Sequence, residues 1–314
     1  VRDRLIERIL LLAAISAVSM LALITIFIFR EGLPVLVDYG PLAFITGTTW
    51  APSQGEFGVL PMIAGSVVVT IGALMIGLPL GLACAVTLAE MAPPRVRIVL
   101  KPTIELLAGI PSVVYGFIGM EVLVPFIRNT PMLGGPGYSA LAASIILAIM
   151  VLPTIIGISI DAIEAVPRSY REGSYALGAT QWQTIVGVVL PAARSGVVAG
   201  VILGMGRAVG ETMAVIMVAG NSVQIPHSVL SPVRTLTANI ALEMGYASGA
   251  HAQALFATGI VLFVISLGLN AIAGRVRDRK RVTVAAPVAT SGAEARAELL
   301  GVEPIRAPEL GGLR

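Results

Sequence analysis

Six stretches of this chain are apolar over about 20 residues or more, the length an α-helix needs to cross the hydrocarbon core of a bilayer. They fall at 9–29, 62–89, 104–127, 138–160, 196–220 and 254–274. The chain is 56% hydrophobic and only 12% charged. That is too few charges to coat a soluble domain of 314 residues, so the bilayer is its natural solvent. The expectation is an all-α polytopic membrane protein with six transmembrane helices.

Lysines and arginines orient such a chain, because cytoplasmic loops carry them in excess. With both termini on the cytoplasmic side, that side holds Arg2, Arg4, Arg8, Arg95, Arg97, Lys101, Arg168, Arg171, Arg194 and the basic residues from Arg275 onward. The outer loops hold only Arg30, Arg128 and Arg234, and Arg207 lies within a span. The net charge of +3 belongs to those flanks and implies no nucleic-acid partner. Cys84 is the one cysteine, so no internal disulfide can form. The first apolar stretch is longer than a secretory h-region and no A-x-A site follows it. It reads as an uncleaved span.

Three segments follow from this layout: an N-terminal anchor span with an outer loop (1–61), a core (62–274), and a basic tail (275–314). The outer loop carries TGTTWAPSQGEFG. Pro79, Pro111, Pro125 and Pro153 fall inside spans and predict kinks, tolerated where neighbours re-satisfy the freed backbone groups. The tail opens with RVRDRKR, a basic cluster suited to the membrane surface. Its Ala, Pro, Gly and Glu mixture then lacks an apolar stripe, which predicts disorder. No inverted internal repeat is visible.

The most informative polar segment is EAVPRSYREGSYALGATQWQTIVGVVLPAARSG, 164–196. Pro167 suits a first helical position and Gly178 the residue just past a helix end. Thr180 and Gln183 form a T-x-x-Q capping box that starts a second short helix, and Pro191 is expected to interrupt that helix. This helix–turn–helix resembles the cytoplasmic loop of ABC-importer permeases, which carry E-A-A, a glycine six residues after the glutamate, and then I-x-L-P. Glu172 and Gly178 match the first two elements. Val188, Val189, Leu190 and Pro191 match the last, with Gly173-Ser174 in place of the paired alanines and Val188 in place of isoleucine.

The resemblance implies that loop 164–195 couples the permease to a cytoplasmic ATPase, with Tyr170, Tyr175, Ala176, Ala179 and Trp182 on the docking surface. In agreement, the chain has no G-x-x-x-x-G-K-[ST] loop, and neither Lys101 nor Lys280 follows a glycine. Gly204-Met-Gly206 is no dinucleotide loop, because the third glycine comes at Gly210, one position late, and no strand precedes it. His227 and His251 form no H-E-x-x-H.

The remaining puzzle is GMGRAVGETMAV, 204–215, which puts two charges near the centre of an apolar span. An arginine there costs about 2.5–3.5 kcal/mol on insertion scales. Glu211 at i+4 would share a helix face with Arg207 and could pair with it. Gly196, Gly200 and Gly204 form a small-xxx-small ridge for close helix packing. The alternative to a structural pair is that Arg207 meets an anion, its fork of donors matching tetrahedral oxygens. Glu211 would then accept from an anion that still carries a proton, as hydrogen phosphate does and sulfate at neutral pH does not. Thr212 could add a hydroxyl.

GRAVGETMAVIMVAGN closely resembles the fifth-span signature of phosphate-specific ABC importer permeases of the PstC type. ELLAGIPSVVYGFIG, 105–119, resembles their third-span signature. Together with the loop, the resemblance covers roughly 60 to 275. It implies a type I importer permease (MetI-like) fold in the bacterial inner membrane, transporting phosphate, with Arg207, Glu211 and Thr212 in translocation. Glu105, Ser112 and Tyr115 are possible pathway residues, and Glu121 reads as an interface residue. The implied partners are a second permease (PstA type), two ATPases (PstB type) holding ATP and Mg, an external phosphate-binding protein (PstS type), and membrane lipid. The chain itself would bind no cofactor and catalyse no reaction. Competing readings are a permease for molybdate or sulfate, an ion-coupled secondary carrier, and a membrane-embedded enzyme. No nucleophile–base or metal cluster supports the last.

Overall fold

Among the described residues five helices are long and apolar enough to cross a membrane, and a bent pair makes a sixth. The structure, a computed structural model, describes residues 2–131 and 135–278. The first helix, α1 (Arg2–Tyr39), is followed by α2 (Pro41–Thr46) and a two-residue hairpin, β1 (Trp50–Ala51) with β2 (Glu56–Phe57). Next come α3 (Leu60–Val86), α4 (Pro94–Ala108), α5 (Ser112–Ile118), α6 (Val124–Asn129) and α7 (Ala140–Glu164). The loop helices α8 (Arg168–Ala176) and α9 (Gln181–Thr184) lead into α10 (Leu190–Gly210). Then α11 (Met213–Val218), α12 (Leu236–Glu243) and α13 (Ala250–Asp278) complete the described chain. The expected tail begins within α13, and its residues from 279 onward lie outside the described residues.

α7 is the axis, more deeply buried than any other spanning helix. α3 runs parallel to it and α10 antiparallel, and both approach through glycines. A Cβ at Gly81 of α3 would lie 2.9 Å from Ile155, and one at Gly204 of α10 would lie 2.9 Å from the same side chain. Ile155 is therefore a knob held between two glycine holes and is fully buried. Gly196 and Gly200 meet Ala162 and Ile158 of α7 in the same way, so the small-residue ridge does form a packing face. α1 is the opposite case. None of its most apolar stretch is buried, and its later half meets α13, where Phe27 packs on Phe256 and Phe29 on Phe263 edge to face.

The third predicted span, 104–127, is not one straight helix. α4 and α5 are bent by 93° about Gly109, Ile110 and Pro111. Proline fixes its φ and donates no hydrogen bond, so the break falls where the sequence puts Gly and Pro together. Tyr115 bridges it, donating its hydroxyl at 2.8 Å to the Leu107 carbonyl, which also accepts from the Ile110 amide at 3.3 Å. Ser112–Asn129 alone measures about 27 Å at 1.5 Å per residue, enough to cross the hydrocarbon core.

Three helices contain a π turn, and each lies just before a proline: Thr87–Met91 before Pro93, Gly119–Leu123 before Pro125, and Ile185–Val189 before Pro191. The residue ahead of the proline region donates back five positions, as Leu190 does to Ile185. The wider turn makes room for a ring that would otherwise collide with a carbonyl in the preceding turn. Pro191 therefore does not interrupt its helix. Gln181–Gly210 runs as one span, and the predicted second loop helix is its first turn.

Candidate functional site

At the end of the bundle that carries Arg97, Lys101 and Arg171, the loop between α7 and α9 has the local structure its sequence dictates. α8 closes in a Schellman motif: Gly178 donates to the Tyr175 carbonyl at 2.9 Å and Ala179 to the Ser174 carbonyl at 3.2 Å. Gly178 has φ +82 and nothing within 4 Å of a notional Cβ. Thr180 accepts from the Gln183 amide while the Gln183 side chain accepts from the Thr180 amide, the full capping box. Gly178→Ala therefore meets no collision, only backbone strain of about 1–2 kcal/mol. The purified protein carrying it is expected to melt a few degrees lower; an unchanged melting temperature would mean that the turn adopts another conformation at little cost.

The main fastening of this loop to the bundle is Arg171. Arg171 donates to the Glu90 carboxylate at 2.6 Å and to the carbonyls of Val166 at 2.6 Å and Ile163 at 2.9 Å. It thereby joins α8 to the π turn ending α3 and to the end of α7. Gln181 adds a bond to the Glu90 carbonyl, and Ser174 pairs with Thr184. Beside it, Arg97 pairs with Glu164, and Lys101 with Asp161 at 2.9 Å, fixing α4 along α7.

Aromatic, aliphatic and charged side chains share the outward face of the loop: Tyr170, Tyr175 and Trp182 are exposed, together with Glu172, Ala176 and Gly178, whereas Ala179 is half-buried. Leu190 is half-buried and Pro191 exposed, both at the start of α10. The sequence reading missed Leu177, which is 91% exposed at the tip. Its signal was available: an apolar residue just before the αL glycine of a short amphipathic helix has no core to enter.

The second region is a helix break. α10 ends at Gly210, and Glu211 is extended, with φ −68 and ψ 132. Arg207 therefore occupies the last turn of a helix rather than its middle, where the carbonyl end of the dipole favours a cation. The i+4 pairing with Glu211 does not form. Glu211 instead turns its carboxylate to the start of α11, accepting from the Ala214 amide at 3.2 Å. Among the described residues Arg207 makes no salt bridge, and it is half-buried.

Thr212, also half-buried, donates to the Gly210 carbonyl at 3.2 Å. The Glu211 carbonyl accepts from the Thr237 hydroxyl of α12 at 2.9 Å. Every backbone group named here is one that a broken membrane helix must satisfy. Tyr115 joins this region through its helix: α5 crosses α11 at Gly116, where a Cβ would come 2.9 Å from the Ala214 Cα. Ser112 sits half-buried at the start of α5. Glu105 is exposed on α4, on the other side of the bend. Glu121 is exposed within the π turn of the same span.

A third polar cluster escaped the sequence reading. The buried Glu243, at the end of α12, accepts from Trp50 at 2.9 Å and Arg234 at 2.6 Å, and pairs with His251 at 2.8 Å. It ties the β hairpin, the loop after α11 and the start of α13 together at the end opposite Arg171.

Residues 77–282 match the family described as "Binding-protein-dependent transport system inner membrane component". The chain is 46% identical over 265 residues to "Probable ABC transporter permease protein YqgH" of Bacillus subtilis, covering 82% of this chain and 85% of that one. It is 38% identical over 280 residues to "Phosphate transport system permease protein PstC" of Mesorhizobium japonicum, covering 83% and 85%. Among solved structures it resembles the MetNI methionine ABC transporter (TM-score 0.51, 22% identity, 70% of this chain and 93% of that one). It also resembles a bacterial ABC transporter involved in alginate import (TM-score 0.53, 16% identity, 84% and 96%). The fold is that of a type I ABC importer permease. The chain is a multi-pass membrane protein and belongs to the family of binding-protein-dependent transport system inner membrane components.

Proposed function

We propose that this chain is a phosphate permease subunit of an ATP-driven importer and that Arg207, with Glu211 and Thr212, handles the anion. The observation that carries this is a guanidinium that makes no salt bridge among the described residues, held at a polar break in a membrane helix. An arginine so placed needs an anion to offset its cost, and its donors fit a phosphate in bidentate fashion. Glu211 spends one oxygen on Ala214, which leaves the other to accept from a protonated phosphate. The several relatives named as phosphate permeases support the same substrate.

On this reading the basic end faces the cytoplasm, with both termini, and the loop centred on Gly178 docks on a separate ATPase that holds ATP and Mg. A second permease and an external phosphate-binding protein complete the assembly. Glu105, Ser112 and Tyr115 line the approach.

The test has two stages. Affinity purification in mild detergent is expected to bring down an ATPase, a second permease and a phosphate-binding protein. In liposomes the complex should take up labelled phosphate with ATP, with little uptake of sulfate or molybdate. Glu211→Gln should keep measurable uptake but reduce the preference for phosphate over sulfate about tenfold, the worth of roughly one charge-assisted hydrogen bond. Preference unchanged in Glu211→Gln would remove Glu211 from anion selection. Uptake by the lone chain without ATP would overturn the importer assignment.

A further inference from the structure

The bend at Gly109, Ile110 and Pro111 changes the depth of a carboxylate. In one straight span over 104–127, Glu121 would lie toward the end of the helix. With α4 turned 93° away, the stretch that crosses is Ser112–Asn129, and Glu121 lies about 13 Å from either end of it at 1.5 Å per residue. That is the middle of the hydrocarbon core, too deep for a glutamate side chain to reach the headgroups.

The two faces of this span are unlike. One is buried through glycines: a Cβ at Gly116 would come 2.9 Å from the Ala214 Cα, and one at Gly119 would come 2.8 Å from Ile146 and from Val218. Ser112 and Tyr115 lie on that side, by the helical period. The opposite face is exposed and carries Val114, Phe117, Ile118, Glu121, Val122 and Phe126. Glu121 thus stands in the middle of an apolar strip, and among the described residues it makes no salt bridge.

A charged side chain at mid-membrane faces a bundle interior, a water-filled cavity or another chain, because lipid gives it no partner. The strip faces away from the interior of this bundle. It also lies opposite Ser112 and Tyr115, and an acidic wall would repel a passing anion. Another chain is what remains. A second copy of this one fits poorly: Arg207 is the only lysine or arginine inside the apolar spans, and a two-fold axis through the strip would set Glu121 against Glu121.

We propose that the strip centred on Glu121 is the interface with the second permease inside the membrane, and that Glu121 pairs there with a lysine or arginine which that chain presents at mid-depth. A pair enclosed by apolar side chains fixes register, since a slip of either helix strands both charges. This inference rests on the importer reading, which supplies the second permease.

The test uses the complete complex, purified in mild detergent through a tag on this chain. With p-benzoylphenylalanine in place of Phe126, illumination should link this chain to the second permease, and mapping the link should find a lysine or arginine there at the depth of Glu121. Glu121→Lys sets like charges together and should lower the second permease recovered about tenfold or more. Changing the mapped basic residue to glutamate in that background should restore recovery to within about twofold, which a packing role for Glu121 would not produce. Links formed only to lipid, or between two copies of this chain, would overturn the proposal. So would undiminished recovery with Glu121→Lys, a loss that the reciprocal change leaves unrestored, or a mapped helix with no basic residue at that depth. In each of these cases the unaltered chain still brings down its partners and the importer reading stands. An unaltered chain that brings down no second permease ends both.

Discussion

Arg207→Ala is expected to lower ATP-driven phosphate uptake about a hundredfold or more, from the loss of two charge-assisted hydrogen bonds to the passing anion. The complex should still assemble and melt near the unaltered temperature, because Arg207 makes no salt bridge whose removal would strand a partner. Arg207→Lys keeps the charge but loses the planar fork and should fall between, at about a tenfold loss. Uptake in liposomes and co-purification of the other subunits are the two measurements. Loss of assembly, with whatever complex forms still transporting normally, would give the arginine a structural role instead.

The second large effect lies at the other end. Arg171→Ala removes the one side chain that ties α8 to both α3 and α7. It leaves the Glu90 carboxylate, 9% exposed, without its partner, and frees the Ile163 and Val166 carbonyls. Breaking such a pair from one side costs about 3–5 kcal/mol, far more than an exposed ion pair would. If the loop transmits force from an ATPase, the variant should hydrolyse ATP with less phosphate moved for each ATP consumed. Glu90→Gln should do less harm, because the amide oxygen still accepts from Arg171 and both carbonyl bonds persist. The ratio of anion moved to ATP hydrolysed, measured together in liposomes, separates the cases. An unchanged ratio in Arg171→Ala would mean that the loop is held adequately without it.

What the sequence made legible is local. The capping box at Thr180 and the αL turn at Gly178 are set by residues three or four apart, and both stand in the structure as read. The glycine ridge of α10 was legible for the same reason, its period being that of the helix. The bend at Gly109–Pro111 was signalled as a kink, but its 93° depends on Tyr115 reaching back to Leu107. The break at Glu211 was not legible at all. A long apolar run read as one helix, and the group that takes up the Glu211 carbonyl at the break, Thr237, lies 26 positions along the chain. Arg171 with Glu90 and Glu243 with Trp50 were hidden likewise, being separated by 81 and 193 positions. Spacing rules see i+3 and i+4; they do not see a contact across two loops.

The π turn at Ile185–Val189 has a consequence for how two tasks share one rod. Trp182 at one end of the Gln181–Gly210 helix faces outward from the loop, and Arg207 at the other end faces the break. A turn that holds an additional residue shifts everything beyond it by about 100° around the helix axis. It therefore sets the angular phase between the two ends, while contributing no side chain to either. The relative aim of the loop and the arginine is written in helix pitch, at a point remote from both.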